Sequence, residues 1–135
     1  MMSTQQDNPT LTITLTGRRP VKITKEDWPV LAAADASDHD GKVEFQANRR
    51  WSWRLAVRQH SDGRAIVYGV YTYSSQYQGE RCHDVRGGEL VPADGDIAAA
   101  IQRVGEWMQS NAPKDGERFA EVTRECLANL PAEDL

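Results

Sequence analysis

Only two cysteines, Cys82 and Cys126, occur in the 135 residues. That is too few for a disulfide framework and fits a reducing compartment. No uninterrupted apolar run approaches the roughly 20 residues a membrane-spanning helix needs. No apolar signal segment follows Met1 either, so a cytoplasmic protein without a membrane partner is expected. Metal-ligand spacing is missing too: two cysteines 44 residues apart and the scattered His39, His60 and His83 match no zinc pattern. Gly87-Gly88 has no Lys-Ser/Thr behind it, which excludes a phosphate loop and leaves a bulge or tight bend as its reading. No cofactor and no metal are therefore expected. Internal repeats and low-complexity tracts are absent.

What is present is ordinary for a globular chain: 39% hydrophobic and 27% charged residues, in a length that suits one domain with a real core. Residues 1–9 read as a disordered tail, 10–130 as a single domain and 131–135 as a frayed end. Leu11, Ile13 and Leu15 alternate with threonines, the period of a half-buried strand, and Val21-Lys22-Ile23 returns as a second strand after Gly17-Arg18-Arg19-Pro20. Thr24 with Asp27 resembles a helix cap, and a short helix is expected from there through Trp28 and Leu31 to Ala34. Asp35 to Gly41 reads as a polar loop. Val43, Phe45 and Ala47 then alternate with polar residues, and so do Trp51, Trp53, Leu55 and Val57. With Asn48-Arg49-Arg50 as a loop, Phe45 would face Trp53 and Val43 would face Leu55. Ser61-Asp62-Gly63 makes a turn into a strand from Ala65 to Tyr73, and another strand is expected from His83 to Val91.

Beyond Asp94 or Asp96 the period changes. Ile97, Ile101, Val104, Trp107 and Met108 follow helical spacing, and Phe119, Val122, Cys126 and Leu127 form a second amphipathic helix. The expected fold class is α+β: an antiparallel meander, a short helix after the N-terminal strands, and two C-terminal helices on one sheet face.

Charge is unevenly distributed. Residues 92–135 carry a net −5, whereas residues 45–74 carry a net +4 in which every basic residue is Arg. If a two-residue turn joins the strands at Asp62-Gly63, Arg54 pairs across from Tyr71. Arg54, Arg58, Tyr71 and Tyr73 would then share a face on which single-stranded nucleic acid could stack. If the turn has three residues and a bulge, the tyrosines join Trp51 and Trp53 on the other face. Overall acidity and the lack of an RNA-recognition signature weigh against nucleic acid.

Two short clusters resemble chemistry. Asp38-His39-Asp40 has ligand and acid–base residue types, but neighbours in a loop rarely converge on one ion. Cys82-His83-Asp84 holds the residue types of a nucleophile, base and orienter, yet consecutive side chains on an extended segment diverge. No catalytic residues are assigned. The stretch Tyr73-Ser-Ser-Gln-Tyr77-Gln-Gly-Glu-Arg81 has the composition of adaptable binding loops. Tyr73, Tyr77 and Arg81 are accordingly the candidate protein-binding residues.

Leu15-Thr16-Gly17-Arg18-Arg19-Pro20-Val21-Lys22-Ile23 through Trp28-Pro29, Gln46-Ala47-Asn48-Arg49, Val57-Arg58-Gln59-His60 and Asp62 to Gly69 together resemble a group of small accessory proteins. These belong to proteobacterial plasmids and integrative elements, and the resemblance covers residues 11–91. It implies a cytoplasmic mobile-element protein and supplies no activity or catalytic residue. Small acidic proteins of such elements include inhibitors of host defence, anti-CRISPR proteins among them, which occupy a partner's surface. The expected function is thus non-enzymatic protein binding or regulation. Single-stranded nucleic-acid binding is the alternative, and an enzyme with an unrecognised site comes third.

Overall fold

The computed structural model describes residues 8–40 and 49–132. Two strands, β1 (Thr10–Ile13) and β2 (Val21–Thr24), form an antiparallel hairpin. A four-stranded antiparallel meander follows: β3 (Val30–Asp40), β4 (Arg49–Gln59), β5 (Ala65–Ser75) and β6 (His83–Val91), neighbours in that order. Helices α1 (Ile97–Asn111) and α2 (Arg118–Ala128) close the chain. The class is α+β, with antiparallel sheets and two helices on one sheet face.

The meander is covered on both sides, and β5 shows why. Its apolar run Ala65-Ile66-Val67 does not alternate in polarity, the pattern of a strand buried on both faces. Ala65, Val67 and Tyr71 turn toward α1 and α2 with Trp53, Leu55, Val57, Ile101, Met108 and Phe119. Ile66 turns the other way, into a smaller cluster with Ile13, Leu15, Ile23 and Trp28 from the hairpin side. Helix α1 starts where the sequence places it: Asp96 caps it, its carboxylate accepting from Ala99 N–H at 3.0 Å.

The expected short helix through Trp28 to Ala34 does not form: Trp28 closes a turn and Val30–Ala34 begins strand β3. The capping pair does form, with Thr24 Oγ1 donating to Asp27 at 2.7 Å and Trp28 N–H to Thr24 C=O at 3.1 Å. It closes one turn only, because Pro29 follows and Val30–Asp40 then pairs with Arg58–Arg49 along the whole of β4. Ladder pairing over ten residues outweighs the weak helix preference of Ala32-Ala33-Ala34. The alanines are useful in the strand: Ala32 and Ala34 are buried small residues that let α2 lie close. Asp35–Asp40 is strand rather than loop for the same reason. The strand expected at Val43, Phe45 and Ala47 lies outside the described residues. The partners opposite Trp53 and Leu55 on that side are Ala36 and Ala34.

Gly87 and Gly88 make neither bulge nor bend, since both sit in regular β6 pairing with Gly69 and Tyr68. They are small because two layers press on them. A β-carbon on Gly87 would lie 2.5 Å from the Trp107 ring, and one on Gly88 would lie 2.8 Å from Thr14 C=O. Among the described residues no helix is long and apolar enough to cross a membrane.

Candidate protein-binding surface

The β4–β5 register decides which side chains meet. His60 N–H donates to Arg64 C=O and Gly63 N–H to His60 C=O, closing a three-residue loop with Gly63 at φ +98°. This is a turn followed by a left-handed glycine, the second of the two registers the sequence allows. Trp53 therefore stands opposite Tyr71 and Trp51 opposite Tyr73, while Arg54 faces Val70 and Arg58 faces Ile66.

The proposed nucleic-acid set is split by this pairing. Tyr71 is buried under the helices, with 1% exposed, and Tyr73 lies on the same face. Arg54 and Arg58 lie on the opposite one. Arg58 is committed to structure, donating from Nε to Tyr68 Oη at 3.0 Å and from Nη1 to Trp28 C=O at 2.9 Å. Arg54 reaches Asp35 at 3.6 Å across the neighbouring strand. Arg54, Arg58, Tyr71 and Tyr73 thus form no common platform.

Along the helix-facing side, burial of the described residues falls from the Val57–Val67 row toward the Arg49–Ser75 row. Trp53 and Tyr71 are buried, the next pair Trp51 and Tyr73 is half-buried, and His83 beside them is exposed. The rings form a ladder: Trp51–Tyr73 centroids are 5.5 Å apart and Tyr73–His83 centroids 5.3 Å. The helix connection and the first residue of α2 bring cations to this side of the sheet. Lys114 Nζ sits 4.2 Å from the Trp51 ring centre, and the Arg118 guanidinium lies 4.9 Å from that of Trp53. Trp53 Nε1 donates to Lys114 C=O at 3.1 Å.

The last row is polar and carries the loop. Arg49, opposite Asp40 on β3 and Ser75 on β5, donates from Nε and Nη2 to Glu80 at 3.1 and 2.9 Å, a two-pronged pair. Tyr73 Oη donates to Glu80 at 2.7 Å and Ser75 Oγ donates to it as well. Ser75 Oγ in turn accepts from Tyr77 N–H at 3.0 Å. The Arg49 guanidinium, followed by the hydroxyls of Ser75 and Tyr73, pulls the Glu80 carboxyl down from 4.5 to about 2. Tyr77 is exposed, with its ring 4.3 Å from the Arg49 guanidinium carbon.

Of the sequence candidates, Tyr73 and Tyr77 are brought together through Glu80 and Arg49. Arg81, next in the chain to Glu80, is exposed and enters no ion pair among the described residues. Sequence reading missed Arg49, Asp40 and Glu80. The available signal was that Glu80 is the single carboxylate between Tyr73 and Arg81, so any cation ordering that loop had to find it.

The two short clusters resolve into separate contacts. Asp38 meets Arg118 at 3.6 Å and Asp40 meets Arg49 at 3.4 Å, while His39 sits on the opposite face across from Arg50. Cys82 Sγ approaches Ser75 C=O at 3.9 Å, His83 leans on Tyr71 and Tyr73, and Asp84 pairs with Arg86. No protein-family model, curated protein or solved structure matches this chain.

Proposed function

We propose that this protein is a non-enzymatic binding module that docks another protein at the Arg49–Ser75 end of its four-stranded sheet. The observation that carries the reading is the fixed presentation of Tyr77. Glu80 ties the loop to Arg49, Tyr73 and Ser75, and an exposed ring is held against a guanidinium. Aromatic and arginine side chains held in place before contact lose little entropy on binding and supply most interface anchors. Tyr77 and Arg81 are the contacting residues in this reading, and Tyr73 helps hold the loop that carries them through Glu80. Occupying the surface of a host complex, the mode implied by the resemblance to mobile-element accessory proteins, is an activity of this kind.

The test is capture from host lysate, with and without nuclease treatment, by the wild-type chain and by Tyr77→Ala and Arg81→Ala variants. A stoichiometric protein held by wild type and lost from Tyr77→Ala supports the reading, since an anchor of this type carries about 2 kcal/mol or more. Retention of nucleic acid alone, eluted by salt, would overturn it.

A further inference from the structure

We propose a second site: a cleft between the Thr16–Arg18 loop, strand β6 and helix α1 that receives the C-terminal carboxylate of a peptide whose last side chain is apolar. The cleft has a volume of about 280 Å³ and is lined by Thr16, Arg18, Leu90, Arg103, Val104 and Trp107 together with Gly88 and Glu89. It shares no residue with the surface around Tyr77.

Its charge favours an anion. Its lining carries two guanidiniums, Arg18 and Arg103, and one carboxylate, Glu89. Arg103 is already occupied, donating from Nε to Glu89 at 2.9 Å and from Nη2 to the second oxygen. Arg18 is exposed and enters no ion pair among the described residues. It is the guanidinium open to a ligand carboxylate, which it can hold through two parallel hydrogen bonds.

The backbone favours a peptide. Strand β6 is an edge of the meander, and Thr16 already adds to it like a fragment of a further strand. Thr16 N–H donates to Gly88 C=O at 2.9 Å, and Gly88 N–H donates to Thr16 Oγ1 at 3.1 Å. By the alternation of an antiparallel ladder, Leu90 turns its own N–H and C=O to the same edge. Among the described residues no backbone group meets them. A terminal peptide unit can pair there, as in strand addition to an open sheet edge. The apolar wall is fixed in advance, because the Trp107 ring lies flush on the strand where Gly87 has no side chain.

The experiment titrates the isotope-labelled full chain with an acetylated tetrapeptide ending in leucine, in free-carboxylate and amidated forms. The carboxylate form is expected to shift the Trp107 indole N–H and the Leu90 amide resonances. Amidation, or the Arg18→Ala change on an exposed loop, should weaken binding about tenfold or more, the worth of one charge-assisted hydrogen bond. Equal binding of both peptide forms, undiminished binding by Arg18→Ala, or unmoved Trp107 and Leu90 resonances would each overturn the proposal. So would acetyl-leucine binding as tightly as the tetrapeptide, which would assign the cleft to a free small carboxylate instead.

Discussion

Replacing Gly105 by alanine tests how α1 and α2 are held together. In an isolated helix the change would stabilise by about 1 kcal/mol, because glycine is the poorer helix former. Here Gly105 is buried against Thr123 of α2: a β-carbon would run into Thr123 Oγ1 and lie 3.1 Å from both its Cβ and Cγ2. Thr123 cannot turn aside freely, since it is itself buried and its hydroxyl donates to Phe119 C=O one turn back. Overpacking of this kind costs about 1–3 kcal/mol, so Gly105→Ala is expected to destabilise by about 1 kcal/mol net. In a Thr123→Ala background Oγ1 and Cγ2 are gone and only the 3.1 Å approach to Cβ persists. There the same change should be neutral or stabilising by up to about 1 kcal/mol. The coupling between the two positions is then about 1–2 kcal/mol, within the range for residues in direct contact. Urea unfolding of the four proteins, followed by tryptophan fluorescence, measures it. A Gly105→Ala effect equal in both backgrounds within about 0.5 kcal/mol would refute the contact as the reason residue 105 is glycine.

Three further outcomes follow from other parts of the molecule. Arg58→Lys keeps the charge but cannot span Tyr68 Oη and Trp28 C=O together. It should cost about 1–2 kcal/mol and speed amide exchange in β1 and β2 ahead of the meander. The Glu80 carboxyl is depressed to about 2 in the folded chain, so its hold on the loop is complete above the ordinary carboxyl range near 4.5. That hold should be lost as pH falls from there toward 2, seen as Tyr77 and Ser75 resonances moving together; loss that begins near neutral pH would contradict it. Burial pushes the Cys126 thiol up to about 11 while Cys82 is exposed, so a thiol reagent at pH 8 should modify Cys82 in the native protein and both cysteines only in denaturant.

Local signals made much of this fold legible. Trp51, Trp53, Leu55 and Val57 announce β4 by period, and Asp96 announces α1 by its cap. The Ala32–Ala34 run has neither signal. Its state depends on a partner, Leu55–Val57, which lies more than twenty residues away and which no local pattern names. The sequence leaves the β4–β5 register open to two choices, and the three-residue loop with its left-handed Gly63 goes with the second. That single choice moved Tyr71 and Tyr73 to the helix-facing side and dissolved the arginine–tyrosine platform. At the candidate surface, loop composition pointed to Tyr73 and Tyr77. The Arg49–Glu80 pair that orders them joins residues 31 apart. Its existence follows from the register of β4 on β5, so it could not be read before the register was known.

The same strands are held differently at their two ends, and in the proposed reading this separates stability from recognition. Near the turn at Gly63, β4 and β5 are closed in by the hairpin on one side and the helices on the other, and Val57, Ala65, Ile66 and Val67 are all at most 1% exposed. Ten residues along, the Arg49–Ser75 row is held by hydrogen bonds and ion pairs at the surface. Exposed ion pairs of this kind contribute little to global stability. Side chains there can change, or be engaged by a partner, without unfolding the chain. Loss of binding in Tyr77→Ala at an unchanged unfolding midpoint would therefore report on the surface itself, whereas a coincident fall in both would place Tyr77 in the fold's support and remove it from the interface.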